Sequence, residues 1–376
     1  MSYAREASRL DEAVLATIAR WRDGGTALEE TEFAALALDI LAHQLRYNAP
    51  YARYCATFGI RERALPDSWI GIPAVPAAAY KEAALCTFDP QRAELIFETS
   101  GTTLGVSGKH YMERRSLYDA ALLAGFERSM LSGTNVRMRY LMLVPNPAQR
   151  PHSSLGYMMH EVARAFGDGD TRWYLDTERL HAERFLDEAA NLARAGLPLC
   201  IAGTAFAFAA ILSTARERGL SALPLPPGSR IMETGGFKGR SRVIGRDAFY
   251  RDLMKLFALP ATRIVGEYGM TELTSQYYDD VSAVAPGDAV VARAKSGPPW
   301  MRTLVVDAAG RALGEGIVGS LVHVDLANRS SCVAVATEDL GVRVPGGFVL
   351  LGREEGAELR GCSLDVEALA ERVRAS

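Results

Sequence analysis

The sequence has few cysteines, few lysines and little net charge. Its five cysteines form no CxxC pair, and none has a histidine at metal-ligand spacing, which disfavours a zinc site and a disulfide framework. The formal net charge is only -3, with no basic tail, so nucleic acid is not expected as a partner. Only five residues are lysine, and two of them, Lys109 and Lys238, lie in glycine-rich loops.

The sequence also lacks a long apolar segment. The longest apolar run, residues 197–212, contains Gly203 and Thr204 and is shorter than the roughly 20 residues that a membrane span needs. It predicts a buried strand, a turn and a helix. The N-terminal stretch "MSYAREASRLDEAV" is charged where a signal peptide would be apolar. We therefore expect a cytoplasmic protein without a membrane span.

Two regular patterns are present. Leu10, Val14 and Ile18 recur at helical spacing, and "FAALALDILAHQL" continues the pattern after the "DGGT" break, which predicts helices over residues 8–58. From about residue 93, short apolar runs end in glycine-rich or polar turns, mostly with helical segments between them. These runs are "AELIFETSGTT", "RYLMLVPNP", "LPLCIAGTA", "SRIMETGGFKG" and "TRIVGEYGMTE". Strands that alternate with helices predict a largely parallel sheet with ligands beyond the carboxyl ends of its strands.

The segment "FETSGTTLGVSGK", residues 97–109, combines hydroxyl groups and glycines with Lys109. Backbone N–H groups in such a turn can form an anion site. The spacing differs from a Walker A motif, because six residues separate Gly101 from Gly108 and His110 follows the lysine. A P-loop NTPase is therefore disfavoured. The segment alone predicts either a phosphate loop or a polar surface turn.

A second segment, "EYGMTE" at residues 267–272, follows the apolar run "RIVG". Its tyrosine offers a flat face to a base, its threonine a hydroxyl to a phosphate, and its carboxylate an oxygen ligand to Mg²⁺. Simple capping of a following helix by Glu272 is the alternative for the motif taken alone.

Together these motifs resemble the adenylate-forming superfamily. Five signatures occur in the order of that superfamily: "TSGTT" (99–103), "TGGFKG" (234–239), "YGMTE" (268–272), "TEDLG" (337–341) and "LGREEG" (351–356). The moderate length and the ending "ELRGCSL" are most similar to the acyl-protein synthetases, the LuxE-like ligases of bacterial fatty acid reductase complexes. The resemblance covers roughly residues 45–370.

The resemblance implies an α/β fold of adenylate-forming type, with layered αβ subdomains, a small β-rich subdomain and a C-terminal lobe reduced to a stub. We predict four parts. They are a helical N-terminal region (1–92), an αβ nucleotide-binding core (93–284), a β-rich subdomain (285–350) and a short hinge and acyl-acceptor segment (351–376).

The resemblance also implies roles for individual residues toward ATP and Mg²⁺. The pyrophosphate cradle would comprise Thr99, Ser100, Gly101, Thr102 and Thr103, with Lys109 as a countercharge. The adenine site would comprise Gly235, Gly236, Tyr268 and Gly269. Thr271 would hold the α-phosphate and Glu272 would ligate Mg²⁺, while Asp339 and Arg353 would bind the ribose. Leu104 departs from the glycine usual in the superfamily, which affects the loop around Lys109.

The implied reaction activates a carboxylic acid, expected to be a fatty acid, as acyl-AMP and transfers the acyl group to a thiol. In the family this thiol lies near the C-terminus and here resembles Cys362, with a reductase as the partner that accepts the acyl group. One alternative is a ligase that delivers the acyl group to coenzyme A or to a carrier protein. A second alternative is a nucleotide-binding scaffold that has lost adenylation.

Overall fold

The computed structural model describes residues 2–99, 107–132, 136–176, 179–235, 246–282 and 293–353. The chain forms two compact units. Unit 1 comprises Met1–Ala124, Met270–Gln276 and Ala294–Ser376, and unit 2 comprises Gly125–Gly269 and Tyr277–Arg293. The four-part division predicted from the sequence stays a prediction.

The described residues contain eight α-helices and fourteen β-strands. The helices are α1 (Tyr3–Arg22), α2 (Glu30–Tyr47), α3 (Ala49–Ala56), α4 (Arg115–Met130), α5 (Ser154–Phe166), α6 (Ala182–Arg194), α7 (Ala205–Glu217) and α8 (Arg246–Phe257). The strands are β1 (Val75–Pro76), β2 (Leu95–Glu98), β3 (Lys109–Met112), β4 (Met138–Pro145), β5 (Gly167–Leu175), β6 (Leu199–Thr204), β7 (Arg230–Thr234), β8 (Ile264–Tyr268), β9 (Tyr277–Asp279), β10 (Ala294–Ser296), β11 (Met301–Val306), β12 (Val318–Asp325), β13 (Ala334–Val344) and β14 (Gly347–Arg353).

Unit 2 contains a parallel sheet in the strand order β5-β4-β6-β7-β8, to which β9 adds an antiparallel strand. Helices α5 to α8 connect the parallel strands in sequence. Strands β6 and β7 are almost entirely buried. Burial of both faces explains the nearly apolar sequence "LCIAGT" of β6, whereas β7, "RIMET", buries two charged side chains and a threonine. Thr204 ends β6 and caps α7 by accepting a hydrogen bond of 3.1 Å from the Ala207 N–H.

The core of unit 2 is apolar. Strand residues such as Leu141, Ile201 and Ile231 pack against Phe208 and Leu253 from the covering helices. This arrangement confirms the predicted alternation of strands and helices. It also confirms the strand and the helix predicted for the apolar run 197–212, but α7 begins directly after β6, without the predicted turn between them.

Unit 1 begins with three helices, as the sequence predicts for residues 8–58. Leu10, Val14 and Ile18 lie four residues apart and are buried on one face of α1. A capping box between Glu29 and Glu32 starts α2. The "DGGT" break lies between α1 and α2.

The strands of unit 1 form an antiparallel meander in the order β11-β12-β13-β14, with β10 next to β14. The two-residue strand β1 pairs in parallel with β13. Strands β11 to β14 lie largely in the short apolar segments "RTLVVD", "GSLVHVDL", "CVAVATED" and "GFVLLG".

Two strands differ from the sequence-based expectation. The run "AELIFE" was expected among the parallel strands, but β2 pairs antiparallel with β3, because a short connection can only return the chain beside itself. Strand β5 was not predicted. Its sequence "GDGDTRWYL" is charged because it ends the order of paired strands in unit 2, and charges are common in such edge strands.

None of the helices in the described residues is long and apolar enough to cross a membrane.

Candidate active site

The hairpin of β2 and β3 holds both ends of the predicted phosphate loop. The pairing of Glu98 with Lys109 continues one step further, since the Thr99 N–H donates to the Gly108 carbonyl at 2.9 Å. The Gly108 N–H in turn donates to Thr99 Oγ1 at 2.8 Å. Because the Thr99 oxygen is used here as an acceptor, its O–H remains able to donate a hydrogen bond.

Lys109 points across the hairpin. Its Nζ lies 3.4 Å from Glu98 Oε1, and its side chain is about half exposed at 47%. Such an exposed pair contributes little to stability. The ammonium group is therefore accessible for a further negative partner. Ser100, Gly101, Thr102 and Thr103 lie outside the described residues.

The predicted catalytic motif forms a turn rather than the start of a helix. Thr271 and Glu272 follow β8 after Gly269 and Met270, and the Leu273 N–H donates to the Met270 carbonyl at 3.1 Å. Glu272 is buried and Thr271 is half-buried. The capping alternative for Glu272 is therefore wrong, because residues 271–275 contain no helix.

His110 fixes one end of this turn. Its Nδ1 lies 2.7 Å from the Thr271 carbonyl oxygen, and its ring packs edge-on against Tyr80. Burial lowers the pKa of His110 to about 4, so the ring is neutral at pH 7. A carbonyl can only accept a hydrogen bond, so Nδ1 carries the proton.

Asp325 and Asn328 hold the other part of the turn. The Asp325 carboxylate accepts the N–H groups of Thr274 and Ser275 at 3.0 and 2.9 Å. Asn328 donates to the Glu272 carbonyl at 2.8 Å and accepts from the Thr274 hydroxyl. Burial raises the pKa of Asp325 to about 6, and hydrogen bonds from Ser275 and from backbone N–H groups oppose that rise.

The predicted adenine residues lie at the carboxyl ends of neighbouring strands in unit 2. Tyr268 ends β8, is buried and contacts Tyr277 with ring centroids 6.0 Å apart. Gly235 follows β7 with φ +79°, a backbone conformation that favours glycine. The Thr234 hydroxyl, directly before Gly235, donates to Glu267 on the adjacent strand. Gly269 is exposed, and Gly236 lies outside the described residues.

The two predicted ribose residues are brought together. Asp339 on β13 and Arg353 on β14 are directly opposite each other in the antiparallel ladder. The Asp339 N–H donates to Thr337 Oγ1 at 3.1 Å, and the residue is half-buried. Two motifs that are 14 positions apart in the sequence thus meet at one place in unit 1.

Three residues at the site were not predicted from the sequence: His110, Asp325 and Asn328. His110 is adjacent to Lys109, and its burial gives no signal in the sequence. Asp325 and Asn328 carry a weak signal, since "DLAN" directly follows the apolar strand β12 and an Asp at such a place commonly caps a turn. Their partners in the 271–275 turn are more than 40 positions away in the chain.

The described residues contain no group of three or more His, Cys, Asp or Glu side chains placed to hold a metal ion. A magnesium site there would rest on few protein ligands. That fits Mg²⁺, which commonly binds through one or two carboxylates, substrate phosphates and water. Glu272, buried and fixed in its turn, is a donor of the required type.

Solved structures define the class of fold. The 2-hydroxyisobutyryl-CoA ligase in complex with 2-HIB-AMP and CoA, in its thioesterification state, has a TM-score of 0.62 and 15% identity, covering 88% of this chain and 70% of the ligase. The open conformation of that ligase gives a TM-score of 0.60 and 14% identity, covering 87% of this chain and 76% of the ligase. McyG A-PCP complexed with phenylalanyl-adenylate gives a TM-score of 0.51 and 19% identity, but the likeness covers 71% of this chain and only 42% of that one. The fold is that of the adenylate-forming enzymes, as predicted.

The family follows from the sequence as a whole. The family model of the acyl-protein synthetases, LuxE, matches residues 10–370, and the chain belongs to this family. A curated relative from Vibrio harveyi, the long-chain-fatty-acid–luciferin-component ligase, is 22% identical over 342 residues, which is 86% of this chain and 85% of the relative. The predictions of the family and of an acyl-adenylating ligase are confirmed.

Proposed function

We propose that the chain converts a long-chain fatty acid and ATP into acyl-AMP and then transfers the acyl group to the thiol of Cys362. The observation that carries this proposal is the buried, side-chain-fixed turn that presents Thr271 and Glu272 within a chain matched by the family model from residue 10 to 370. The long-chain fatty acid in the name of the Vibrio harveyi relative supports the choice of acid.

The first step needs a leaving group on a carboxylate, which is otherwise a poor electrophile. An oxygen of the fatty carboxylate attacks the α-phosphorus of ATP, and the bond from that phosphorus to the bridging oxygen breaks. The products are acyl-AMP and pyrophosphate. The Thr271 hydroxyl would bind the α-phosphate, while the Thr99 hydroxyl and the Lys109 ammonium would stabilise negative charge on the departing phosphates.

Glu272 would hold Mg²⁺ together with oxygens of the substrate phosphates. When bound, the ion would supply positive charge at the phosphates. Asp339 and Arg353, opposite each other on β13 and β14, would bind the ribose. Tyr268 and the backbone at Gly235 and Gly236 would form the adenine site.

In the second step a thiolate attacks the carbonyl carbon of acyl-AMP, a thioester forms and AMP leaves. Four of the five cysteines are poorly suited to this step because they are buried. Burial raises the pKa of Cys86 to about 11 and of Cys55 and Cys200 to about 12, and it raises that of Cys332 well above 9. A buried thiol of this kind is inert. Cys362, which lies outside the described residues, is left as the acceptor.

The acyl-enzyme step can be tested by labelling. We expect the protein to retain radioactivity after incubation with ATP, magnesium and radiolabelled hexadecanoate, and hydroxylamine to release the label, because it cleaves thioesters. Cys362→Ser should lose the label, whereas Cys86→Ser, which changes a buried thiol, should keep it. Equal labelling of Cys362→Ser and the wild type would contradict the transfer to Cys362.

The same experiment separates the alternative acceptors. Coenzyme A or a carrier-protein thiol would be favoured if Cys362→Ser still formed the corresponding thioester at the wild-type rate. A reductase that takes the acyl group from Cys362 is the proposed protein partner, and the cytoplasm remains the proposed compartment.

A further inference from the structure

The turn at residues 271–275 depends on side chains from other parts of unit 1 for its backbone hydrogen bonds. Residues 271–275 belong to neither a helix nor a strand. Their polar groups therefore need other partners, because an unpaired buried N–H or C=O group is costly. Contacts to this turn come from His110, Trp300, Asp325 and Asn328, all of which are buried.

Asp325 is the centre of the first set of contacts. Besides the N–H groups of Thr274 and Ser275, its carboxylate accepts the Ser275 hydroxyl at 3.0 Å and the Ala327 N–H at 3.0 Å. Four donors thus converge on one carboxylate. The Ser275 oxygen also accepts from Trp300 Nε1 at 2.9 Å, so this end of the turn is held from two sides.

Asn328 is the centre of the second set. Its amide nitrogen donates to the Glu272 carbonyl and also to the Cys332 carbonyl at 3.0 Å. Its amide oxygen accepts from the Thr274 hydroxyl. The amide therefore contacts the backbone of Glu272 itself, one peptide unit away from Thr271.

The segment that carries Asp325 and Asn328 is itself fixed. Arg329 is fully buried and donates to both oxygens of Asp11 on α1, at 2.6 and 2.9 Å. Gln44 on α2 donates to the carbonyls of Asn328 and Arg329 at 2.9 and 3.0 Å. Helices α1 and α2 thus fix the segment that carries Asp325 and Asn328, and this segment in turn fixes residues 271–275.

We propose that Asp325 and Asn328 are positioning residues for the adenylation step, which fix the turn so that the Thr271 hydroxyl and the Glu272 carboxylate are in place before substrate binds. This inference rests on the proposed function. Neither residue needs to touch substrate. Loss of either residue should misplace the side chains of Thr271 and Glu272, and small misplacements of catalytic groups have large effects on the reaction rate.

The expected signature is a fall in kcat rather than a uniform loss of substrate binding. Asn328→Ala should lower kcat for acid-dependent adenylation by about 10- to 100-fold, with the KM for the fatty acid changed by less than about 3-fold. The assay is the rate of pyrophosphate release and of ATP–pyrophosphate exchange with hexadecanoate. Folding of each variant is checked by urea unfolding followed by tryptophan fluorescence.

Tyr51→Phe is the control. Tyr51 is also fully buried in unit 1, but its hydroxyl donates to the Pro73 carbonyl at 2.8 Å, outside the segment that carries Asp325 and Asn328. Tyr51→Phe should lose stability, as Asn328→Ala does, but keep kcat within about 3-fold of the wild type.

A second pair of variants covers the case in which Asn328→Ala does not fold. Thr274→Val removes the hydroxyl that donates to Asn328 at nearly constant shape, and it should lower kcat by about 10-fold. Thr274→Ser keeps that hydroxyl and should restore most of the rate. A merely structural role for Thr274 would not distinguish the two variants in this way.

The inference is overturned if folded Asn328→Ala has wild-type kcat, if Tyr51→Phe loses as much kcat as Asn328→Ala, or if Thr274→Val and Thr274→Ser are equally active. These outcomes leave the proposed function intact, because the wild type still exchanges pyrophosphate. Failure of the wild type to exchange with any acid would overturn the proposed function instead.

Discussion

The two units of the chain use different chemistry in their interiors. Unit 2 places the predicted adenine residues at the ends of parallel strands over an apolar core, where the sheet itself satisfies the backbone. Unit 2 also buries charged side chains such as Asp279 and Arg293, but unit 1 buries more polar and charged side chains, including Arg329, Asp325, Asn328 and His110. The polar interior of unit 1 supplies the hydrogen-bond partners that a buried turn without secondary structure needs, and such an interior is sensitive to charge and pH.

The largest expected effect is the removal of the buried cation of unit 1. Arg329 is fully buried between Asp11 and Glu113, with its NH1 group 2.9 Å from Glu113. Arg329→Met should lower the free energy of unfolding by about 3–5 kcal/mol, because it leaves buried carboxylates without their partner. Urea unfolding measures the change.

The control for that change comes from unit 2. Arg216→Met removes the exposed pair with Asp252 and should cost less than about 1 kcal/mol. Equal losses for the two arginine variants would contradict the contrast between the units. Arg329→Met is measured in a Trp173→Phe background, because the other three tryptophans, Trp21, Trp69 and Trp300, all lie in unit 1. Arg216→Met is measured with Trp173 present, because this tryptophan lies in unit 2.

The next largest effect is that the stability of unit 1 depends on pH. Burial lowers the pKa of His43 and His110 to about 4 and of His323 to about 3, from 6.5. Below pH 6.5 the unfolded chain therefore binds protons that the folded chain does not. The stability that comes from the neutral rings is complete above pH 6.5 and is lost as the pH falls toward 4.

Two buried carboxyl groups act in the opposite direction, since the pKa values of Asp11 and Asp325 are raised by burial. The net difference is about one to two protons, so the free energy of unfolding should fall by about 1.4–2.7 kcal/mol per pH unit between pH 6.5 and 5. Urea unfolding in the Trp173→Phe background measures this slope. His43→Leu removes one buried histidine, so the difference in protons bound by the unfolded and folded chains should fall by about one, and the slope should fall with it. An unchanged slope would show that buried histidines are not its cause.

The sequence predicts those features that depend on local pattern. Strands β6 and β7 are recognisable because both of their faces are buried, and the helices of residues 8–58 are recognisable from their spacing. The motif residues Thr271 and Glu272 are predicted from a short signature. Strand β5 escapes prediction because an edge strand need not be apolar, and the antiparallel pairing of β2 depends on where the chain returns.

The features that the sequence does not reveal depend on distant pairs. His110 meets Thr271 across 161 positions, and Asn328 meets Glu272 across 56. Nothing in the neighbourhood of these residues specifies the partner. Asp339 and Arg353 form an intermediate case: each was predicted from its own motif, and their position opposite each other follows from the short turn between β13 and β14.

The proposed adenylation can be measured as ATP–pyrophosphate exchange with hexadecanoate and magnesium. We expect exchange that requires the fatty acid and that falls at least about 10-fold in Glu272→Gln, because a neutral amide is a poorer ligand for Mg²⁺ than a carboxylate. A folded wild-type protein that shows no acid-dependent exchange with hexadecanoate or with a panel of other carboxylic acids would contradict the proposed adenylation.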